Sequence, residues 1–256
     1  MLTASGVHVT VWGDGEPAVF VHGSFGWGEE TWREQRPLAG DYRLLLVDRR
    51  GFGASPPDGR VDFEHDAEDV ADLLGDGAHL VGHSYGGVVS LLAAAGRPEA
   101  VRSLVLIEPP AFGVARGDPA VEEMIRNIDG AARTTQDPSE YRARFLRGFG
   151  FPAQATPLAG PVLEAARASM TERPPWEAQI PLDDLAGARL RVLLVQGDWC
   201  PAPDSARALA GAAFRAVCEV LDERLEPERA ILPAAHSPQK LGRIFNDRVR
   251  TFWESS

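Results

Sequence analysis

Gly82-His83-Ser84-Tyr85-Gly86-Gly87 follows an apolar run, Ala78-His79-Leu80-Val81, and precedes a small-residue stretch, Val88-Val89-Ser90-Leu91-Leu92-Ala93-Ala94-Ala95. The first run reads as a buried strand and the second as a helix, so the residues between them form a sharp strand-to-helix turn. A Gly-x-Ser-x-Gly pattern in that setting is a nucleophile elbow, with the serine at the tip in a strained backbone conformation. Gly82 and Gly86 flank it because neighbouring side chains would clash there. The N-terminus of the following helix then turns backbone N–H groups toward negative charge growing near the serine oxygen.

Outward from the elbow, strand-like runs alternate with helical ones, the pattern of a mostly parallel sheet covered on both faces. Val7–Val11, Pro17–Val21, Tyr42–Val47 and Val101–Ile107 read as strands, and His65–Leu74 as a helix. Beyond Ala111 the strand rhythm stops. Helical segments with good start signals follow, at Asp137-Pro138-Ser139-Glu140 and Thr156-Pro157, where a capping side chain precedes a proline at the first helical position. The strand pattern resumes at Leu190–Gln196. A long helix over about Pro203–Arg224, a short strand at Ala230–Leu232 and a final helix over about Pro238–Trp253 complete the chain. The predicted organisation is an α/β core over residues 1–110 and 187–256, interrupted by a helical lid over residues 111–186.

The 256 residues, 44% hydrophobic and 25% charged, suffice for one such domain with an insertion. A net charge of −11 with no basic patch argues against nucleic acid and anionic membranes as partners. Two cysteines, Cys200 and Cys218, make no disulfide framework. The opening residues lack the basic and apolar regions of a signal peptide, and no apolar run approaches the roughly 18 residues of a membrane span. A cytoplasmic protein, monomer or homodimer, is the expectation.

A serine hydroxyl is a weak nucleophile and needs a base in hydrogen-bond reach. Of six histidines, His8, His65 and His79 read as packing or surface residues, and His83 points away from Ser84. His236 sits in a loop after a late strand, the place expected for the base. No metal motif and no phosphate-binding glycine loop is present, so no metal and no cofactor is expected.

Taken together, His22-Gly23 after a strand, Asp48-Arg49-x-Gly51-x-Gly53-x-Ser55, the elbow and the late His236 make nearly the whole chain resemble an α/β-hydrolase. The resemblance implies the oxyanion hole: the backbone N–H groups of Ser24, after the His-Gly pair, and Tyr85, after the nucleophile. Two such donors contribute about 3 kcal/mol each. His22, Asp48 and Arg49 read as fold determinants. The triad acid departs from the commonest family pattern, because the expected position after Gly197 is Cys200. Glu108 ends the strand after the nucleophile helix, 24 residues beyond Ser84, and is the leading candidate; Asp198 and Asp204 are the alternatives. Lid-bearing relatives that carry the acid after this strand include certain haloalkane dehalogenases and fungal zearalenone lactonases.

The resemblance implies acyl transfer: attack by Ser84 on a carbonyl, with His236 as base, Glu108 orienting it, and water clearing the acyl-enzyme. Phe25, Trp27 and Trp199 fall on loops expected at the pocket mouth, and Trp176 on the lid. They suggest an apolar, mid-sized ester or lactone, with a zearalenone-type macrolactone as one specific case. C–C bond hydrolysis, thioester cleavage and perhydrolysis use the same triad. A ligand receptor or a non-hydrolytic biosynthetic catalyst on the same fold is the alternative of a different class.

Overall fold

The computed structural model describes residues 1–256 except 4, 5, 57, 58, 60, 133, 134 and 256, and it leaves the side chains of 131 and 132 undescribed. Residues 133 and 134, within the expected lid, therefore lie outside the described residues.

One seven-stranded sheet organises the molecule. β1 (His8–Trp12) runs antiparallel to β3 (Tyr42–Asp48). β2 (Glu16–Val21), β4 (Ala78–His83), β5 (Val101–Ile107), β6 (Val192–Gly197) and β7 (Glu228–Leu232) extend it in parallel, in the order β1-β3-β2-β4-β5-β6-β7. Every residue of β4 and β6 is buried, which is why these strands read as continuous apolar runs rather than alternating ones.

Successive residues of each strand face opposite layers. Leu80, Leu104, Leu106 and Leu194 join one core, and Val81, Val105, Ile107 and Val195 join the other. The first layer receives α2 (Phe63–Leu73), α3 (Tyr85–Gly96) and α9 (Ala212–Leu225); the second receives α10 (Arg243–Glu254), including Phe252 and Trp253. α2 starts where Asp62 caps it, its carboxylate accepting the Glu64 N–H at 2.9 Å. A short α1 (Gly28–Thr31) and a 3₁₀ stretch, Arg33–Gly40, lead into β3.

Between β5 and β6 the described residues form helices and connecting turns: α4 (Pro119–Ala132), α5 (Pro138–Gly148), α6 (Gly160–Ser169) and α7 (Leu182–Ala188). Asp137 caps α5 through the Glu140 N–H at 2.7 Å, with Pro138 in the first turn. Some boundaries differ from the sequence reading. α7 runs on to Ala188 and stops where Arg189 turns left-handed, so β6 starts at Val192 rather than Leu190. The long helix after β6 contains a π-helical turn, Arg207–Gly211, between α8 (Asp204–Ala206) and α9. The final helix is divided at Gly242, whose φ of 57° separates a 3₁₀ turn, Pro238–Leu241, from α10.

β3 and β4 lie on opposite sides of β2, so the chain leaves the β2 and β4 ends toward opposite flanks of the sheet. A crevice opens at the carboxyl edge of such a reversal point. The residues after β2 and after β4 are His22-Gly23 and Ser84.

Candidate active site

Ser84 sits between β4 and α3 at φ 53°, ψ −126°, a backbone conformation that costs a non-glycine residue on the order of 1–3 kcal/mol. Its N–H donates to Ile107 O at 2.9 Å, and its neighbours leave no room for side chains. A Cβ at Gly82 would lie 2.4 Å from Gly86 O, and one at Gly86 would lie 2.2 Å from Val21 O. The glycines are therefore set by close backbone approach around a strained serine.

Ser84 Oγ lies 2.9 Å from His236 Nε2. His83 is not idle: its Nε2–H donates to His236 O at 2.8 Å, tying the end of β4 to the loop that carries His236. The imidazole of His236 is packed among Phe214, Phe149 and Trp199, with ring centroids at 4.5, 5.6 and 6.3 Å. Its side chain is 20% exposed, and burial pushes its pKa down to about 3. The ring is therefore neutral at neutral pH and able to accept a proton from Ser84.

On its other side, His236 Nδ1 faces Glu108 Oε2 at 3.7 Å, and neither atom has a hydrogen-bond partner among the described residues. Closing that gap by less than about 1 Å makes the bond, and such contacts commonly tighten only when substrate is bound. Glu108 is wholly buried. Its Oε1 accepts the Gly197 N–H at 2.7 Å and the Trp199 indole N–H at 3.3 Å. Burial pushes its carboxyl up to about 8, with those two donors partly opposing the shift. Glu108 and His236 thus form a buried pair in which desolvation opposes charge on both members. The other two carboxylates considered from the sequence have other partners. Asp198 Oδ1 accepts the Cys200 N–H at 2.9 Å, and Asp204 is almost fully exposed beside Arg207.

The backbone N–H groups of Ser24 and Tyr85 donate to no protein group among the described residues, which leaves both free for an oxyanion. The loop carrying Ser24 is held by a buried cluster that the sequence did not reveal. Ser24 Oγ donates to Glu172 Oε2 at 2.5 Å, and Glu172 Oε1 accepts from Arg49 Nη2 at 2.5 Å. Arg49 also binds Asp66 at 3.0 Å and the carbonyls of His22 and Gly23. Glu172 lies in Thr171-Glu172-Arg173-Pro174-Pro175, a polar, proline-containing stretch in which nothing local marks it for burial. His22 is fixed as the Nδ1–H tautomer, donating to Gly23 O at 2.7 Å and accepting the Arg49 N–H at Nε2 at 3.0 Å. Burial first, and then Arg49, hold its pKa well below the usual value, so it supports the loop as a neutral ring.

Ser84 opens onto two cavities. The larger, about 690 Å³, is lined by Phe25, Trp27, Phe145, Phe149 and His236 among others. The smaller, about 60 Å³, lies toward Phe112, Tyr141, Glu172 and Trp176. Trp199, expected at the pocket mouth, lines neither cavity. Its left-handed φ of 59° and its N–H bond to Ala234 O turn it beneath the site, where it is wholly buried against Phe214. Its indole N–H reaches Glu108 instead.

The matches to known proteins agree with the fold. A family model described as "Alpha/beta hydrolase family" matches residues 18–240. The chain is 30% identical over 226 residues to a pimeloyl-[acyl-carrier protein] methyl ester esterase of Methylococcus capsulatus, covering 86% of this chain and 85% of that one. It is 37% identical over 115 residues to the enzyme of the same name from Aeromonas hydrophila, covering 44% of this chain and 45% of the relative. The chain thus spans about half the length of the Aeromonas relative. The esterase of Exiguobacterium antarcticum superposes with a TM-score of 0.70 at 19% identity, over 97% of this chain and 96% of that one, which is a likeness of fold. No helix among the described residues is long and apolar enough to cross a membrane. The chain belongs to the alpha/beta hydrolase family.

Proposed function

We propose that this protein is a serine hydrolase of carboxylic esters, acting through an acyl-enzyme on Ser84. The observation that carries this reading is the 2.9 Å contact between Ser84 Oγ and the neutral His236 Nε2, with Glu108 buried behind the ring. His236 takes the Ser84 proton as the oxygen attacks the carbonyl carbon, and the resulting oxyanion is received by the N–H groups of Ser24 and Tyr85. Glu108 stabilises the imidazolium that forms. The imidazolium then returns its proton to the leaving alkoxide, and water, activated by the same histidine, releases the acid and restores Ser84.

The two cavities support an ester with one short arm and one long arm, the short arm in the 60 Å³ space and the long one along the aromatic wall of the 690 Å³ space. The printed names of the curated relatives, methyl ester esterases, favour an ester over the C–C and thioester substrates open to the same triad. A lactone is a cyclic ester open to the same chemistry, and only the larger cavity has room for a macrocycle.

Turnover of p-nitrophenyl esters of rising chain length tests the reading. Glu108→Gln is expected to lower kcat by about 10³-fold, because an amide beside Nδ1 favours the wrong imidazole tautomer. Asp198→Ala is expected to stay near wild type, and the reverse ranking would move the acid to Asp198.

The pH dependence carries a second expectation. The Glu108–His236 pair sheds its proton on the alkaline side of neutrality, so kcat/KM rises with pH toward about 8. In Glu108→Gln only His236 titrates, and the acid limb shifts well below 6.5. Linkage adds a stability signature. A carboxyl held near 8 in the fold, against an ordinary value of 4.5, binds its proton more tightly than in the unfolded chain. That contribution to stability is complete below about 4.5 and is lost as pH rises toward 8. Glu108→Gln should therefore raise Tm relative to wild type more at pH 9 than at pH 5, as read by scanning calorimetry.

A further inference from the structure

We propose that the larger cavity carries an anion subsite formed by Arg142 and Lys240, and that the long arm of the substrate ends in a carboxylate or phosphate. This assignment rests on the hydrolase reading of Ser84 and extends it to the class of substrate.

Four side chains of the acidic and basic types line the 690 Å³ cavity besides its histidines: Glu30, Arg33, Arg142 and Lys240. Glu30 and Arg33 neutralise each other in an ion pair at 3.0 Å. The side chains of Arg142 and Lys240 make no hydrogen bond or ion pair among the described residues. They leave the cavity with two unanswered positive charges in a chain whose net charge is −11. The contrast lies within one helix. On α5, Arg144 and Arg147 both bind Glu140, while Arg142, partly buried, has no carboxylate. Lys240, the only lysine in the chain, stands four residues after His236 and is exposed where it lines the cavity.

Arg142, Phe145 and Leu146 of α5 and Phe149 at its C-cap recur at helical spacing and all line the cavity, so one face of α5 with its cap forms the wall. Phe149 packs on the His236 ring at 5.6 Å, and Arg142 lies two turns away along the helix, on the order of 10 Å. An ester carbonyl at Ser84 and an anion at Arg142 would thus be joined by an extended apolar segment lying on Phe145 and Leu146. Gln239, next to Lys240 in the turn that follows His236, is a third polar residue lining the cavity. It is wholly buried, and neither side-chain amide atom has a hydrogen-bond partner among the described residues. A partly desolvated guanidinium, an ammonium and an unpartnered amide are groups that a carboxylate or phosphate satisfies.

The test compares monomethyl esters of linear dicarboxylic acids, from succinic to sebacic, with their neutral dimethyl esters and with ω-phosphonate counterparts. Wild type is expected to favour the anionic member at medium length by about tenfold in kcat/KM, through KM, and to lose that preference in high salt. Arg142→Met and Lys240→Met should each reduce the anionic-to-neutral ratio several-fold, and Arg142→Lys should restore part of it. Preference for the carboxylate or the phosphonate series identifies the anion. Equal handling of anionic and neutral esters by wild type, or a ratio unmoved in both variants, overturns the subsite while leaving ester hydrolysis in place. If wild type hydrolyses none of these esters, calorimetric binding of suberate to Ser84→Ala, weakened several-fold by Arg142→Met, still supports the subsite. Absence of such binding removes it.

Discussion

Ser84→Ala is expected to lower kcat/KM for any ester the wild type hydrolyses by about 10⁴-fold or more, with Tm and circular dichroism close to wild type. The size of the loss follows from the site working as a unit. Without Oγ, the proton acceptor at His236 Nε2 and the free N–H groups of Ser24 and Tyr85 have no attacking oxygen to serve. What remains is binding and oxyanion stabilisation of attack by water, worth far less than the intact relay. Stability should hold because alanine keeps the Cβ, and the strained φ of 53° is held by Gly82, Gly86 and the Ser84 N–H bond to Ile107 rather than by the hydroxyl. Steady-state kinetics alongside a thermal melt reads both parts.

Arg49→Met carries the largest expected loss of stability, about 3–5 kcal/mol, seen as a fall in Tm on the order of 10 °C. The guanidinium is wholly buried and lies 4.5 Å from the Phe52 ring centroid and 4.4 Å from that of Tyr85. Its hydrogen bonds answer Asp66, Glu172 and the His22 and Gly23 carbonyls of the loop carrying Ser24. Methionine fills most of the volume but leaves two buried carboxylates without a counter-ion. Burial already pushes both Asp66 and Glu172 upward, with Arg49 the main opposing influence. Removing it drives them further toward the neutral acid. The destabilisation should therefore be larger at pH 8, where the charged forms are demanded, than at pH 5, where protonation relieves them. Denaturant melts at the two pH values separate this from simple loss of packing, which would be insensitive to pH.

The parts of this molecule that were legible in the sequence are those set by neighbouring residues. The elbow was readable because the strand, the two glycines and the helix are contiguous, and β4 and α3 flank Ser84 as that stretch requires. The parallel sheet was readable from short apolar runs, since strands covered on both faces need not alternate. Glu108 was singled out because a carboxylate closing a buried strand requires a partner. The structure sets it against His236, held from below by Gly197 and Trp199.

What stayed hidden depends on contacts between distant residues. Glu172 meets Ser24 across 148 positions and Arg49 across 123, and neither separation leaves a local trace. Trp199 was assigned to the pocket mouth because it follows a strand end. A left-handed backbone and a bond to the His236 loop send it inward, a choice that only tertiary packing makes. The split of the site into a large and a small cavity likewise depends on how α5 and the turn bearing Trp176 settle over the crevice.

The most direct test of the central claim is the rate and position of labelling by a fluorophosphonate, which forms a stable adduct only with a serine activated by its base. Peptide mapping of the wild type should place one label on Ser84, with labelling slowed strongly in Glu108→Gln and unchanged in Asp198→Ala. A label on another residue, or a wild type that labels no faster than heat-denatured protein, would contradict an activated Ser84. Equal rates for Glu108→Gln and wild type would contradict the role given to Glu108.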